Sequence, residues 1–275
     1  MKIAIYSREG GARYDQRLSR MLEALEKDSF DFYDVTGEGD LLPETGLVLS
    51  VGGDGTFLSA SRCVGKSGIP ILGVNLGRLG FLSEYSPEEA CEALLSGDWY
   101  LEDRELLGTR VSGVSLESDP QFWPYTLNEV SVHRSGAALL GIDVMIDGHP
   151  LPTYWADGLL VATSSGSTAY SLSVGGPICA PDAKVLIIAP IAPHNLNARP
   201  LVVPDTTAIS VSMRSRDEKV MLSMDNRNHL VAPSVSLDVM VAQFSLKRVR
   251  LKNTSFIKAL TTKLFWGEDI RNSGE

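Results

Sequence analysis

The sequence is poor in the residues that build metal clusters or disulfide frames: 275 residues contain three cysteines and four histidines. Cys63, Cys91 and Cys179 are odd in number and widely spaced, with no C-x-x-C pair and no histidine cluster at zinc-ligand spacing. They read as reduced, mostly buried thiols. A basic excess is also missing. With 25 lysines plus arginines against 34 acidic residues and a formal net charge of −9, the chain lacks the field that a nucleic-acid backbone selects, so nucleic acid is not the expected partner. Long apolar runs are absent too. The longest, Val185 to Pro193, contains a proline and is about half the length of a membrane-spanning helix, so no membrane role is expected. The opening MKIAIYSREGG has only a short apolar run before Arg8 and Glu9, which is too brief for an export signal. It reads as a first strand, and the expected location is cytoplasmic. Internal repeats and low-complexity tracts are lacking.

The 44% hydrophobic and 21% charged composition suits a sizeable core, divided between two modest domains or forming one large one. The first hundred residues alternate strand and helix signals: KIAIY, a helix with Leu18, Met21, Leu22 and Leu25 on one face, FDFYDV, LVLSV, a short helix after Thr56, then ILGVN. A further helix opens at Ser86-Pro87-Glu88-Glu89, a capping box with proline in the first turn, and ends at Gly97. This βα rhythm predicts a parallel sheet covered by helices. From about Leu106 the runs are short and β-rich, among them TLNEVSVHR, GIDVMIDGHPL, KVLIIAPI and SVSLDVMVAQFSLKRVR, which predict a second, antiparallel domain. Asp147-Gly148 marks a tight hairpin. The segment around Gly166 is the one plausible helix start in this half, and Phe256 to Phe265 reads as a terminal helix.

Three segments have the residue types for chemistry. A buried strand leads into Gly52-Gly53-Asp54-Gly55-Thr56 and a helix follows at once, so backbone amides and the helix dipole can cradle a phosphate. The turn is neither a Walker pattern nor a G-x-G-x-x-G fingerprint. Asp54 repels such a ligand unless it binds a metal or accepts a proton; as a purely structural residue it would satisfy local turn amides. In WADGLLVATSSGSTAYSLSVGGPI (155–178), six hydroxyl residues surround Gly166 and offer donors for ribose or phosphate, or else cap a short helix. Asn128-Glu129 places an amide and a carboxylate in an apolar strand, where they are expensive to bury unless they bind something or form a satisfied edge pair.

Together GGDGT (52–56), GVNLGRLGFL (73–82), LNEV (127–130), ADGLLVATSSGSTAYSLSVGGPI (156–178) and APIAPHNLNARPLVV (189–203) closely resemble the NAD kinase family along nearly the whole chain. The resemblance implies a Rossmann-like α/β domain over 1–104 that contains the GGDGT loop and binds the phosphate donor. It implies a β-rich, sandwich-like NAD-binding domain over 105–252, with 253–275 returning to the first domain. The implied reaction is Mg²⁺-dependent transfer of the ATP γ-phosphate to the 2′-hydroxyl of the adenosine ribose of NAD, giving NADP. The implied assembly is a homodimer or homotetramer with NAD bound between domains and subunits.

Carried over by position, Asp54 resembles the family's proton acceptor, and Gly52, Gly53, Gly55 and Thr56 its glycine loop. Asn75 and Phe81 match the asparagine-bearing loop and an apolar wall. Asn128 and Glu129 match the pair that holds ribose hydroxyls, and Asp157 a residue near the nicotinamide. Ser165, Thr168, Ala169, Tyr170 and Ser173 match the loop against NAD, and Ala192 the segment beneath it. A ribose hydroxyl is a poor nucleophile, so a carboxylate that takes its proton is the economical chemistry, and the rest is positioning and charge neutralisation.

One run departs from the family. Where many relatives have an aspartate-small-glutamine sequence, this chain reads Met224-Asp225-Asn226-Arg227-Asn228. Arg227 there either contacts a phosphate or stands as a solvated turn residue. His194, beside Pro193, reads as structural. Two rival functions share parts of the pattern: a lipid kinase of the diacylglycerol or sphingosine type, which has a similar GGDGT loop, and a non-catalytic NAD(P) sensor. The NE pair and the 156–178 block favour the kinase that acts on NAD.

Overall fold

The computed structural model describes residues 1–8, 15–37, 39–77, 80–114, 116, 119, 122–252 and 254–266. Glu9, Arg78 and Leu79 of the runs above, with 253 and 267–275 of the terminal segment, lie outside the described residues. The chain divides into two compact units, Met1–Asp103 with Leu246–Glu275, and Arg104–Ser245. It runs β1 (Lys2–Tyr6), α1 (Gln16–Lys27), β2 (Asp31–Val35), β3 (Thr45–Val51), α2 (Asp54–Val64), β4 (Ile71–Val74), α3 (Pro87–Ser96) and β5 (Trp99–Arg104). Next come β6 (Leu107–Ser112), β7 (Tyr125–Thr126), β8 (Glu129–Arg134), β9 (Leu140–Ile146), β10 (His149–Pro150), β11 (Tyr154–Ala156), β12 (Gly158–Thr163) and α4 (Tyr170–Ser173). The second unit ends with β13 (Val185–Ile191), β14 (Leu201–Pro204), β15 (Ile209–Arg214), β16 (Val220–Met224), β17 (Arg227–Val231) and β18 (Ser236–Val241). The chain then returns through β19 (Leu246–Leu251) and α5 (Phe256–Leu264).

The first unit is built on a sheet of order β2-β1-β3-β4-β19-β5. Strand β1 is parallel to β2 and β3, β3 to β4, and β4 to β19. Helix α1 buries Leu18, Met21, Leu22 and Leu25, the face its spacing predicts, and Asp15 caps it by accepting from the amides of Arg17 and Leu18. The capping box at Ser86 and Glu89 and the left-handed Gly97 bound α3 as the pattern predicts. The chain steps from β1 to β2 on one side and returns to add β3 on the other, so the order reverses between β1 and β3. In open α/β sheets that reversal leaves a crevice at the carboxyl ends of the strands. Residues 52–56 leave β3 at this point.

The second unit is a sandwich of two antiparallel sheets. Their inner faces share one core, with Val130, Val132, Leu159 and Val161 from one sheet meeting Ile142, Val144, Val211 and Val239 from the other. Alternate residues point inward, as sheet-on-sheet packing requires. Asp147 and Gly148 adopt positive φ at the β9–β10 turn, as the hairpin signal predicts.

One strand differs from expectation. The run ending in SLKRVR reads as wholly part of the β-rich domain, yet β19 is a strand of the first sheet. Its alternation is misleading because Arg248 and Arg250, which look solvent-facing, are 1% and 4% exposed. Both pair with Glu84 inside the first unit.

Candidate active site

In the first unit the turn after β3 depends on its first glycine. Gly52 has φ +143°, and a Cβ there would lie 2.5 Å from Thr56 Oγ1. Gly53 is the N-cap of α2 and offers no side-chain acceptor, so early amides of the helix remain for an anion. Arg8, which follows β1, donates through Nε and Nη2 to Ser59 Oγ at 3.3 and 3.1 Å. That brings a cation within 3.4 Å of the position a Cβ on Gly55 would take. Arg8 belongs to no motif; its one signal in the sequence is its place at the carboxyl end of β1, beside the strand-order reversal.

Asp54 lies in the first turn of α2, where a carboxylate is favoured by the helix dipole. Its Oδ2 accepts from the Phe81 amide at 2.9 Å, and its Oδ1 from Leu82 and Ser83 at 3.0 and 2.9 Å. A carboxylate has about four lone-pair sites; the two on Oδ1 are taken, while among the described residues Oδ2 accepts from the Phe81 amide alone. A Cβ on Gly80 would come within 2.0 Å of Asp54 Oδ1, so the approach of this loop needs glycine there. Phe81 is half-buried beside it, and Asn75, 5% exposed, folds its Oδ1 back onto the Gly77 amide at 2.8 Å.

In the second unit Asn128 ends the bend between β7 and β8, and Glu129 is the first residue of β8. Both are 8% exposed. The bend is held by a residue the sequence reading left without a role. Asp225 accepts from the amides of Leu127, Asn128 and Glu129 at 2.6, 3.0 and 3.2 Å. Its signal was the Asp225-Asn226 pair, whose positive φ angles make the tight turn from β16 to β17. Burial and the neighbouring Asp225 push the Glu129 carboxyl up to about 8, opposed by the Tyr170 amide. Burial also raises Asp225, but its three amide donors and Arg227 favour its anion. Both carboxyls of this buried pair are thus held above their ordinary range.

The hydroxyl-rich loop closes on the same bend. Thr163 donates its amide to the Asn128 carbonyl and its hydroxyl to that of Leu127. A Cβ on Gly166 would lie 2.2 Å from the Asn128 carbonyl oxygen. Ser165 Oγ accepts from Arg104 at 3.2 Å. Thr168, Ala169 and Tyr170 are half-buried, Ser173 is exposed, and the Tyr170 ring stacks on His133 with centroids 5.7 Å apart.

Asp157 and Ala192 are not beside Glu129. Glu129 pairs with Ala162 at one end of β12, whereas Gly158 at the other end pairs with Ile191. At ~3.3 Å per residue those positions are roughly 13 Å apart. Asp157 makes a two-point ion pair with Arg134, at 2.7 and 3.3 Å. Ala192 holds φ +45°, a strained angle for alanine. Arg227 is committed to protein: Nε, Nη1 and Nη2 donate to the carbonyls of Met224, Trp123 and Tyr125 at 2.9, 2.8 and 2.8 Å. The solvated-turn alternative does not describe a side chain so bound.

Comparison with known proteins gives two family matches: the ATP-NAD kinase N-terminal domain over residues 19–96 and the ATP-NAD kinase C-terminal domain over 127–251. The chain is 42% identical to an NAD kinase of Bacteroides fragilis over 229 residues, covering 82% of this chain and 78% of that one. It is 36% identical to an NAD kinase of Christiangramia forsetii, covering 99% and 100%. Among solved structures it resembles an NAD kinase from Archaeoglobus fulgidus in complex with ATP, with TM-score 0.76 and 27% identity over 96% of this chain and 99% of that one. Yeast NADH kinase complexed with NADH shares the fold, with TM-score 0.82, 24% identity, and 99% and 90% coverage.

Proposed function

The chain belongs to the NAD kinase family, and from that premise we propose how its own residues make NADP from NAD and ATP. The γ-phosphate of ATP passes to the 2′-hydroxyl of the adenosine ribose of NAD. The carrying observation is the Asp54 carboxylate, fixed by three amides with a single donor on Oδ2 among the described residues. Asp54 is the general base: it accepts the hydroxyl proton as the oxygen attacks phosphorus. Residues 52–56 and the start of α2 receive the phosphates, and Arg8 adds positive charge beside them.

In the second unit Asn128 and Glu129 hold ribose hydroxyls. The protonated Glu129 acts as a donor there. Residues 165–170, with Ser173, line the dinucleotide, and Tyr170 packs against it. Asp157 and Ala192 serve its nicotinamide end. An extended dinucleotide has the length to reach from Glu129 to Asp157 along β12, which supports this division of roles. Arg227 is given no ligand. Mg²⁺ neutralises phosphate charge when bound. Among the described residues no group of three or more His, Cys, Asp or Glu forms a metal cage, which suits an ion held chiefly by nucleotide phosphates.

We place the enzyme in the cytoplasm on its family assignment, as a homodimer or homotetramer. The outer strands β14 and β17 carry Leu201, Val202 and Leu230 at 37%, 43% and 62% exposure, apolar edges of the kind a neighbouring copy covers. A coupled assay of NADP⁺ formation, run with wild type, with Asp54→Asn, and with a lipid diol in place of NAD⁺, tests the function. Turnover should require NAD⁺ and fall by about 10²-fold or more in the variant while NAD⁺ still binds. Near-normal turnover by Asp54→Asn would remove Asp54 from the mechanism.

A further inference from the structure

The three amides on Asp54 belong to three consecutive peptide groups, and the opposite end of each group is engaged as well. The peptide that gives the Phe81 amide has the Gly80 carbonyl, which accepts from Lys263 Nζ of α5. The peptide that gives the Leu82 amide has the Phe81 carbonyl, which accepts from Arg248 Nη2 of β19 at 3.0 Å. The peptide that gives the Ser83 amide has the Leu82 carbonyl, which accepts from the same nitrogen at 2.8 Å. Every N–H on the carboxylate is thus backed by a C=O on a cation.

The cations are themselves fixed by one acid. Glu84 Oε2 lies 3.0 Å from Arg248 Nη2 and 3.0 Å from Arg250 Nη1, and Oε1 lies 3.3 Å from Lys263 Nζ. Burial would raise the Glu84 carboxyl, and the three cations reverse that, holding it below its ordinary range. Phe81 carries Lys263 over its ring, 5.2 Å from the centroid. Four buried charges in one place are costly, and their net worth to stability is commonly small. Arg248 is 1% exposed, and its carbonyl contacts reach the loop that determines where Asp54 points. A cation on a carbonyl also polarises the peptide and strengthens the hydrogen bond at its other end.

We propose that Arg248 and Lys263 are positioning residues for the phosphoryl transfer, orienting and charging Asp54 through the peptide groups of residues 80–83, with Glu84 as their anchor. The inference rests on Asp54 being the base. Cation and carboxylate do not touch; the backbone between them transmits the effect, and the through-space attraction between Lys263 and Asp54 adds to it. The C-terminal segment thereby sets the geometry of the proton acceptor.

The test is steady-state NADP⁺ formation, with kcat and KM for both substrates, by Lys263→Met, Lys263→Arg, Arg248→Met and Arg248→Lys, each also made in the Asp54→Asn background. Misplacing a catalytic group by about 1 Å can cost about 10²-fold, so each methionine variant should lose about 10-fold or more in kcat. Its KM values should stay within about 2-fold, and the conservative variant should recover most of the loss. With Asp54 already replaced, the same changes should alter residual turnover by less than about 2-fold, because groups acting as one unit are not additive. Methionine variants with wild-type kcat, or equal losses in both backgrounds, would overturn the relay while leaving Asp54 as base. If Asp54→Asn turns over like wild type, the base assignment falls and the relay with it. Should Arg248→Met fail to fold, the Lys263 pair decides by the same criteria.

Discussion

Glu129→Gln is the substitution whose effect follows most directly from the electrostatics of the second unit. The glutamate is 8% exposed and faces Asp225, and its carboxyl is raised from 4.5 to about 8. A folded state that holds a proton more tightly than the unfolded chain is stabilised by it. That stability is fully present below 4.5 and is lost as pH rises through about 8. At about 1.4 kcal/mol per pH unit the loss is bounded near 5 kcal/mol, and relaxation around the new charge brings the expected figure to a few kcal/mol. For a protein of this size that is a fall of about 5–10 °C in Tm between pH 6 and pH 9. Glutamine keeps the shape and the acceptor for the Tyr170 amide but has no proton to lose, so the variant should be the more stable form at pH 9. Thermal unfolding of ligand-free protein at fixed ionic strength, wild type against variant, isolates this group from all others that titrate. Parallel curves from pH 6 to pH 9 would refute the raised Glu129 carboxyl.

Gly80→Ala forces a Cβ to within 2.0 Å of Asp54 Oδ1; kcat should fall by about 10²-fold, and a folded variant with normal kcat would contradict the described approach of that loop. Gly166→Ala pushes on the Asn128 carbonyl at 2.2 Å, so overpacking of about 1–3 kcal/mol is expected, together with a raised KM for NAD⁺; a variant unchanged in both Tm and KM would count against the packing. Arg227→Gln removes three bonds to carbonyls and should lower stability by roughly 1 kcal/mol or more, with substrate affinities kept. Unchanged Tm with weakened binding would return Arg227 to the ligand. Ala192→Gly relieves φ +45° and should stabilise the free protein by up to about 1 kcal/mol, measured by urea unfolding; a loss of stability would mean the alanine is not strained.

Much of this molecule is legible in local sequence because local rules govern it. Helix α1 shows its buried face through spacing, α3 through its capping box, and the β9–β10 turn through Asp147-Gly148. The turn at Gly52–Thr56 announces itself by composition. Harder to see are residues whose meaning comes from partners far away in sequence. Asp225 binds amides nearly a hundred residues earlier, and Arg248 binds carbonyls more than 160 residues earlier. Their side chains look like ordinary turn and strand polarity, and no periodicity distinguishes a buried arginine from a solvated one. β19 was misplaced for that reason: its arginines mimic an outward face. Arg227 presents the reverse case, a charge that invites a ligand in the sequence and is occupied by backbone in the fold.

The insertion of β19 between β4 and β5 has a consequence for biosynthesis. During translation the first sheet can gather β1 to β4 early, but the strand that lies beside β4 is not made until residue 251 has been added, and α5 follows it. At roughly 5–20 residues per second, the roughly 180 residues between β4 and the end of β19 leave the edge of β4 open for about 10–35 seconds. The unit that begins first is thus completed last, shortly after the second. A chain interrupted between the two has a complete second unit and a first sheet that still lacks β19 and α5.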